Sequence, residues 1–164
     1  MSVPIFNTGG VNGLAALNFA NSGMSGCLAA NGNTVRVLVG TPQVRTVESS
    51  PPGGNWQMVR SLGLGPRRVV WHARLVSATS GGAEANLNTV EAAIERYLIG
   101  ASLADGGIYS LTDGKGRTSD YAVLLPTGTG RVGLRETNVR GTMSQHWVLE
   151  FSVLWPQVGA PTAL

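Results

Sequence analysis

The sequence predicts a mainly β protein: an antiparallel β-sandwich or barrel flanked by one α-helix, with an extended N-terminal arm. Three observations carry this. Arg68 to Val76 and Gln145 to Leu154 alternate side chains with the period of two that a half-buried antiparallel strand requires. Only Ala85 to Ile99 repeats apolar residues at helical spacing, with Leu87, Val90, Ile94, Tyr97 and Leu98 on one stripe. One helix of about four turns cannot cross a parallel sheet repeatedly, which leaves antiparallel pairing with the helix against it.

Taken in order, residues 1–33 are rich in Gly, Asn, Ala and Ser and hold no sustained period. Their few large apolar side chains, Ile5, Phe6, Leu14, Leu17 and Phe19, predict an arm that orders against a neighbour rather than a free tail. A chain starting near Thr34 is therefore expected to fold but to assemble poorly. Residues 34–164 form the single domain. Val35 to Val39 is β-branched and reads as a strand ending at Gly40. Pro42 to Asn55, with three prolines and two glycines, reads as a long loop. Arg68 to Val76 places Val69, Trp71, Ala73 and Leu75 on one face and Val70, His72, Arg74 and Val76 on the other. The helix, over about 86–99, has Asn88 and Glu91 at capping-box spacing and Gly100 as its stop. Gly107 to Thr112 and Asp120 to Leu125 flank an Asp113-Gly114 hairpin signal. Arg131 to Arg135 is a shorter strand. The last strand directs Trp147, Leu149, Phe151, Val153 and Trp155 to one side, and Pro156 ends it.

Composition narrows the function. Of 164 residues only 13% are charged and 23 are glycine, against an ordinary charged share of about 25%. A free monomer usually keeps more charge on its surface, so part of this surface is expected to be covered in an assembly. One cysteine excludes an intrachain disulfide framework. No apolar run reaches the roughly 18 residues of a membrane helix. The net charge is +3, but Arg67-Arg68 is the longest basic block, a weak nucleic-acid signal. Small residues precede Cys27 as in a lipoprotein cleavage box, yet nothing before it is basic, so a small free thiol is the preferred reading.

Motifs for chemistry are sparse. His72 and His146 fall on polar strand faces without a carboxylate motif and read as ordinary half-exposed residues. Gly63-Leu64-Gly65-Pro66-Arg67 and Gly128-Thr129-Gly130-Arg131 lack the Lys-Ser/Thr ending of a phosphate loop and read as turns before arginine-bearing strands. Asp113 and Asp120 are too few for a calcium loop. Trp71, Trp147 and Trp155 belong to core or interface faces, whereas Trp56, in a Gly/Pro loop, is a contact anchor. No catalytic, metal or cofactor-binding residues emerge.

The run Arg67 to Leu75, the helix Leu87 to Leu98, Gly107 to Arg117, Tyr121 to Leu124 and the strand Gln145 to Leu154 together resemble the tail-tube-type β-barrel of tailed-bacteriophage tail tubes, distal tail proteins and baseplate components. The resemblance spans about residues 35 to 156 and rests on pattern, not on a diagnostic motif. It implies a non-enzymatic virion subunit, made in the host cytoplasm, that forms homo-oligomeric rings, contacts other virion proteins and meets genomic DNA in passing, with no membrane. The expected subunit-contact residues are Phe6, Phe19, Trp56, Arg67, Arg68, Arg131 and Arg135, arginine being suited to planar interface pairing. A capsid-surface or capsid-stabilising protein is the alternative, and a small hydrolase a more distant one.

Overall fold

The computed structural model describes residues 4–7, 14, 16–18, 34–41, 44–49, 52–54, 58–77, 80–100, 107–113 and 117–154. In chain order the strands are β1 (Pro4–Phe6), β2 (Leu17–Asn18), β3 (Thr34–Val39), β4 (Val44–Ser49), β5 (Met58–Leu64) and β6 (Arg67–Val76). Helix α1 (Ala83–Gly100) follows, then β7 (Ile108–Asp113), β8 (Thr118–Leu124), a 3-10 turn (Pro126–Gly128), β9 (Gly130–Thr137) and β10 (Met143–Val153). All pairings are antiparallel. Eight strands make one sheet in the order β2-β1-β7-β8-β10-β6-β3, with β9 also on β10, while β4 and β5 form a separate hairpin. The fold class is thus mainly β and antiparallel, with one α-helix among the described residues. Among the described strands the sheet is open, so they do not form the barrel of the two alternatives.

β10 organises the sheet. Ser144 to Val153 pairs without interruption with Val76 to Arg67. Its other edge is shared: Phe151 to Val153 pairs with β8, and Met143 to Val148 with β9. The 3-10 turn fills the jog between them. There Leu125 N–H donates to Glu150 O (2.7 Å), and Glu150 N–H donates to the Thr129 hydroxyl (3.0 Å). Both backbone groups of Glu150 are thus bonded where β10 changes neighbours.

The alternation in β6 and β10 holds. Val69, Trp71, Ala73, Leu75, Trp147, Leu149, Phe151 and Val153 are buried and face Leu87, Val90, Ile94 and Tyr97 of α1, with Leu98 partly buried beside them. Trp155 lies outside the described residues. The sheet also curls. β1 is three strand steps from β10 along the sheet, about 14 Å if flat. Yet the Phe6 ring stands 4.9 Å from that of Phe151, and near Tyr97 (5.1 Å) and Tyr109 (5.4 Å). The β1 end of the sheet therefore bends over its middle, and α1 packs into the aromatic core between them.

Three expectations need correction. First, the described part of the N-terminal arm belongs to its own domain. β1 pairs with β7, and Phe6 and Leu17 are fully buried. Asn7, in the left-handed region (φ 58°), locks the segment. Its N–H donates to Ser110 O (2.7 Å), and its side-chain amide donates to Leu14 O (3.2 Å) and the Tyr97 hydroxyl (3.0 Å). Asparagine tolerates this backbone better than most residues. Second, part of the predicted Pro42 to Asn55 loop is strand β4; the prolines flank it and leave Val44 to Ser49 free to pair. Third, α1 begins at Ala83, not near residue 86, after Gly82 at φ 75°. Asn88 is consequently an exposed mid-helix residue, not a cap. The 114–116 turn of the predicted hairpin lies outside the described residues, but β7 and β8 do pair.

Candidate functional site

β9 is the most exposed of the strands whose burial is described. Val132, Gly133 and Leu134 are all exposed, Leu134 to 84%. Val132 pairs with His146 and Glu136 with Ser144, so three β9 residues stand opposite the single Gln145. Gly133, at φ 75°, supplies the left-handed turn of this bulge. The bulge throws Leu134 outward and turns Arg135 toward the helix.

Arg135 is the centre of a cluster joining β9 to α1. Its Nη2 lies 2.9 Å from Glu91 Oε2 and its Nη1 3.8 Å from Glu84 Oε1, while its Nε donates to Gln145 Oε1 at 3.3 Å. Arg131 Nη1 reaches the same Glu91 oxygen at 3.6 Å. An open groove of about 620 Å³ runs here, lined by Glu84, Asn88, Glu91, Arg131, Leu134 and Arg135. The Gln145 amide nitrogen and the Trp147 indole N–H are buried without a hydrogen-bond partner among the described residues.

The sheet face away from α1 is the second surface. Arg68 grips Glu150 through two bonds, Nε to Oε1 and Nη2 to Oε2, each 2.5 Å. Hydrogen bonding to Glu150, then its charge, raises the Arg68 pKa further above its ordinary value. Gly128 lies against the same carboxylate, where a Cβ would overlap Glu150 Oε2. Around this pair the face is part apolar and part basic. Leu38, Ile108, Tyr121, Val132 and Leu154 are exposed.

The sequence-predicted contact residues divide accordingly. Arg131 and Arg135 come together on the β9 edge, and Arg68 lies on the outer face. Arg67, half-buried, ends β6 opposite Val153. Phe6 is corrected to a core residue of its own chain: with no exposed surface, it has nothing to offer a neighbour. Phe19, Trp56 and Cys27 lie outside the described residues. Glu84, Glu91 and Gln145, which hold the two arginines, escaped sequence reasoning because the pairing spans 40 residues or more in part and depends on the bulge; the only sequence signal was Gly133. Among the described residues no group of three or more His, Cys, Asp or Glu could hold a metal ion. No described helix is long and apolar enough to cross a membrane. Compared with known protein families and with curated proteins, the chain matches none.

Proposed function

We propose that this protein is a non-enzymatic structural subunit that assembles into homo-oligomeric rings, as a tail or baseplate component of a bacteriophage virion. The observation that carries this reading is the four-strand blade β9-β10-β6-β3. Among the described residues neither the outer edge of β9 nor that of β3 has a strand partner. Unpaired edges invite association, and natural proteins protect them when association is unwanted. The blade holds an even number of alternating strands. In a ring with all copies oriented alike, β9 of one copy then meets β3 of the next in the antiparallel sense. Such a head-to-tail contact generates a ring when the rotation closes. The bulge interrupts the β9 ladder after Val132, so the contact also draws on the projecting Val132 and Leu134. Low overall charge and the resemblance to tail-tube-type subunits support the same reading.

Light scattering coupled to size exclusion, with negative-stain imaging of the full chain, tests it. Rings are expected, and Leu134→Glu is expected to shift the population to monomer without lowering the melting temperature. Monomer alone at high concentration would overturn self-assembly. Mass spectrometry of separated heads and tails tests the placement; finding the chain only on heads would replace the tail reading by the capsid one.

A further inference from the structure

Four nitrogen-bearing side chains form an unbroken strip on the face of the blade turned away from α1. Arg36 on β3 pairs directly with His72 on β6. Arg74, two residues along β6 and so about 7 Å away on the same face, pairs directly with His146 on β10. Arg36 and His72 are exposed; Arg74 and His146 are half-buried. A concavity of about 300 Å³ opens at His72, Arg74 and His146, with Val132 and Val148 among its walls.

The charge balance here is positive. Arg68 and Glu150, on the same face, satisfy each other. Arg74 donates only to neutral groups, Asn138 Oδ1 and Ser144 Oγ, each at 3.3 Å. Arg36 has no ion-pair partner among the described residues. Among the described residues the one other carboxylate at the strip is Glu136, 3.8 Å from His146 Nε2 and also within 3.5 Å of the Ser144 hydroxyl. Two guanidinium groups and two imidazoles thus meet one exposed carboxylate. Trp147, the one Phe, Tyr or Trp in the lining of the concavity, is buried, while the guanidinium forks match phosphate oxygens.

We propose that Arg36, His72, Arg74 and His146 form a phosphate-binding strip for the backbone of nucleic acid, read without regard to sequence. Backbone contacts of this kind position a duplex but carry no base information. The strip lies within one chain and requires no ring, so a monomeric protein still binds.

Fluorescence anisotropy with the full chain and a short labelled DNA duplex tests it. Two arginine contacts predict a slope of log affinity against log salt of about −1.8, which is roughly a tenfold loss between about 50 and 200 mM salt. Arg36→Gln and Arg74→Gln should each reduce the slope by about one. His72→Gln, at an exposed position, should weaken binding with an unchanged melting temperature, which guards against an Arg74 variant that misfolds. Absence of binding at the lowest salt would overturn the proposal, as would a wild-type slope in Arg36→Gln together with wild-type affinity in His72→Gln. Displacement of the duplex by low-millimolar inorganic phosphate would also overturn it, marking a site for free anions instead.

Discussion

Replacing Phe6 by alanine separates a core residue from an assembly contact. Phe6 has no exposed surface and its ring lies within 5.4 Å of three other rings, those of Tyr97, Tyr109 and Phe151. A buried phenylalanine cut to alanine costs about 3–5 kcal/mol. Edge-on and tilted ring pairs contribute about 0.5–1.5 kcal/mol each beyond the buried area, which puts Phe6 in the upper part of that range. A chain of this size loses about 2–4 °C per kcal/mol, so the melting temperature should fall by about 6–20 °C. Circular dichroism melts at two protein concentrations make the measurement. A core residue lowers both curves equally, whereas a side chain docked on a neighbour gives a loss that varies with concentration. A shift under about 2 °C, less than 1 kcal/mol on the same scale, would refute the placement. By the same reasoning a chain starting at Thr34 lacks Phe6, Leu17 and the Asn7 clamp, and should be markedly destabilised and not merely deficient in assembly.

Three further outcomes are expected. Ile94→Ala opens the buried contact between α1 and the sheet and should cost about 2–5 kcal/mol in denaturant titration; an unchanged midpoint would place the helix elsewhere. Gly128→Ala forces a methyl group into the Glu150 carboxylate and should cost about 1–3 kcal/mol. Part of that loss should disappear in a Glu150→Ala background, which removes the carboxylate but leaves the Glu150 Cβ 2.7 Å from the added methyl, and simple additivity would argue against the contact. Burial pushes the Tyr97 pKa up to about 12, against a lowering by its hydrogen bond with Asn7. Because the folded protein holds this proton more tightly than the unfolded chain, the contribution is complete below about pH 10 and is lost as pH rises through 12. The loss is about 2–3 kcal/mol, and a Tyr97→Phe variant should lack that alkaline slope.

What the sequence made legible follows from local repetition. β6 and β10 alternate strictly and bury one face, so their inward residues could be read directly. The α1 stripe was equally plain, but its start was not: Ala83 and Glu84 carry no apolar signal, and the stop before them is a glycine conformation. β1 and β2 were invisible because strands of three and two residues have no period, and β1 depends on β7, about 100 residues away. β4 was hidden by the prolines around it. At the candidate site, Arg131 and Arg135 stood out as isolated charges. The bulge that aims Arg135 at Glu91 is a matter of register, which one glycine does not specify. The basic strip escaped because its members lie on three strands, joined only by pairing.

The long β6–β10 ladder has a consequence for synthesis. β6 ends at Val76 and β10 starts at Met143, roughly 65 residues later. At about 5–20 residues per second, the ribosome leaves the β10-facing edge of β6 unpaired for several seconds. In that interval β3 already protects the opposite edge, and α1, emerging next, can lay its apolar stripe over Val69, Trp71 and Leu75. The order of elements thus places a local helix between two distant strands that must eventually zip. Closing the sheet waits for the last strand to leave the exit tunnel, so premature termination before Met143 leaves a fragment with an exposed template for aggregation.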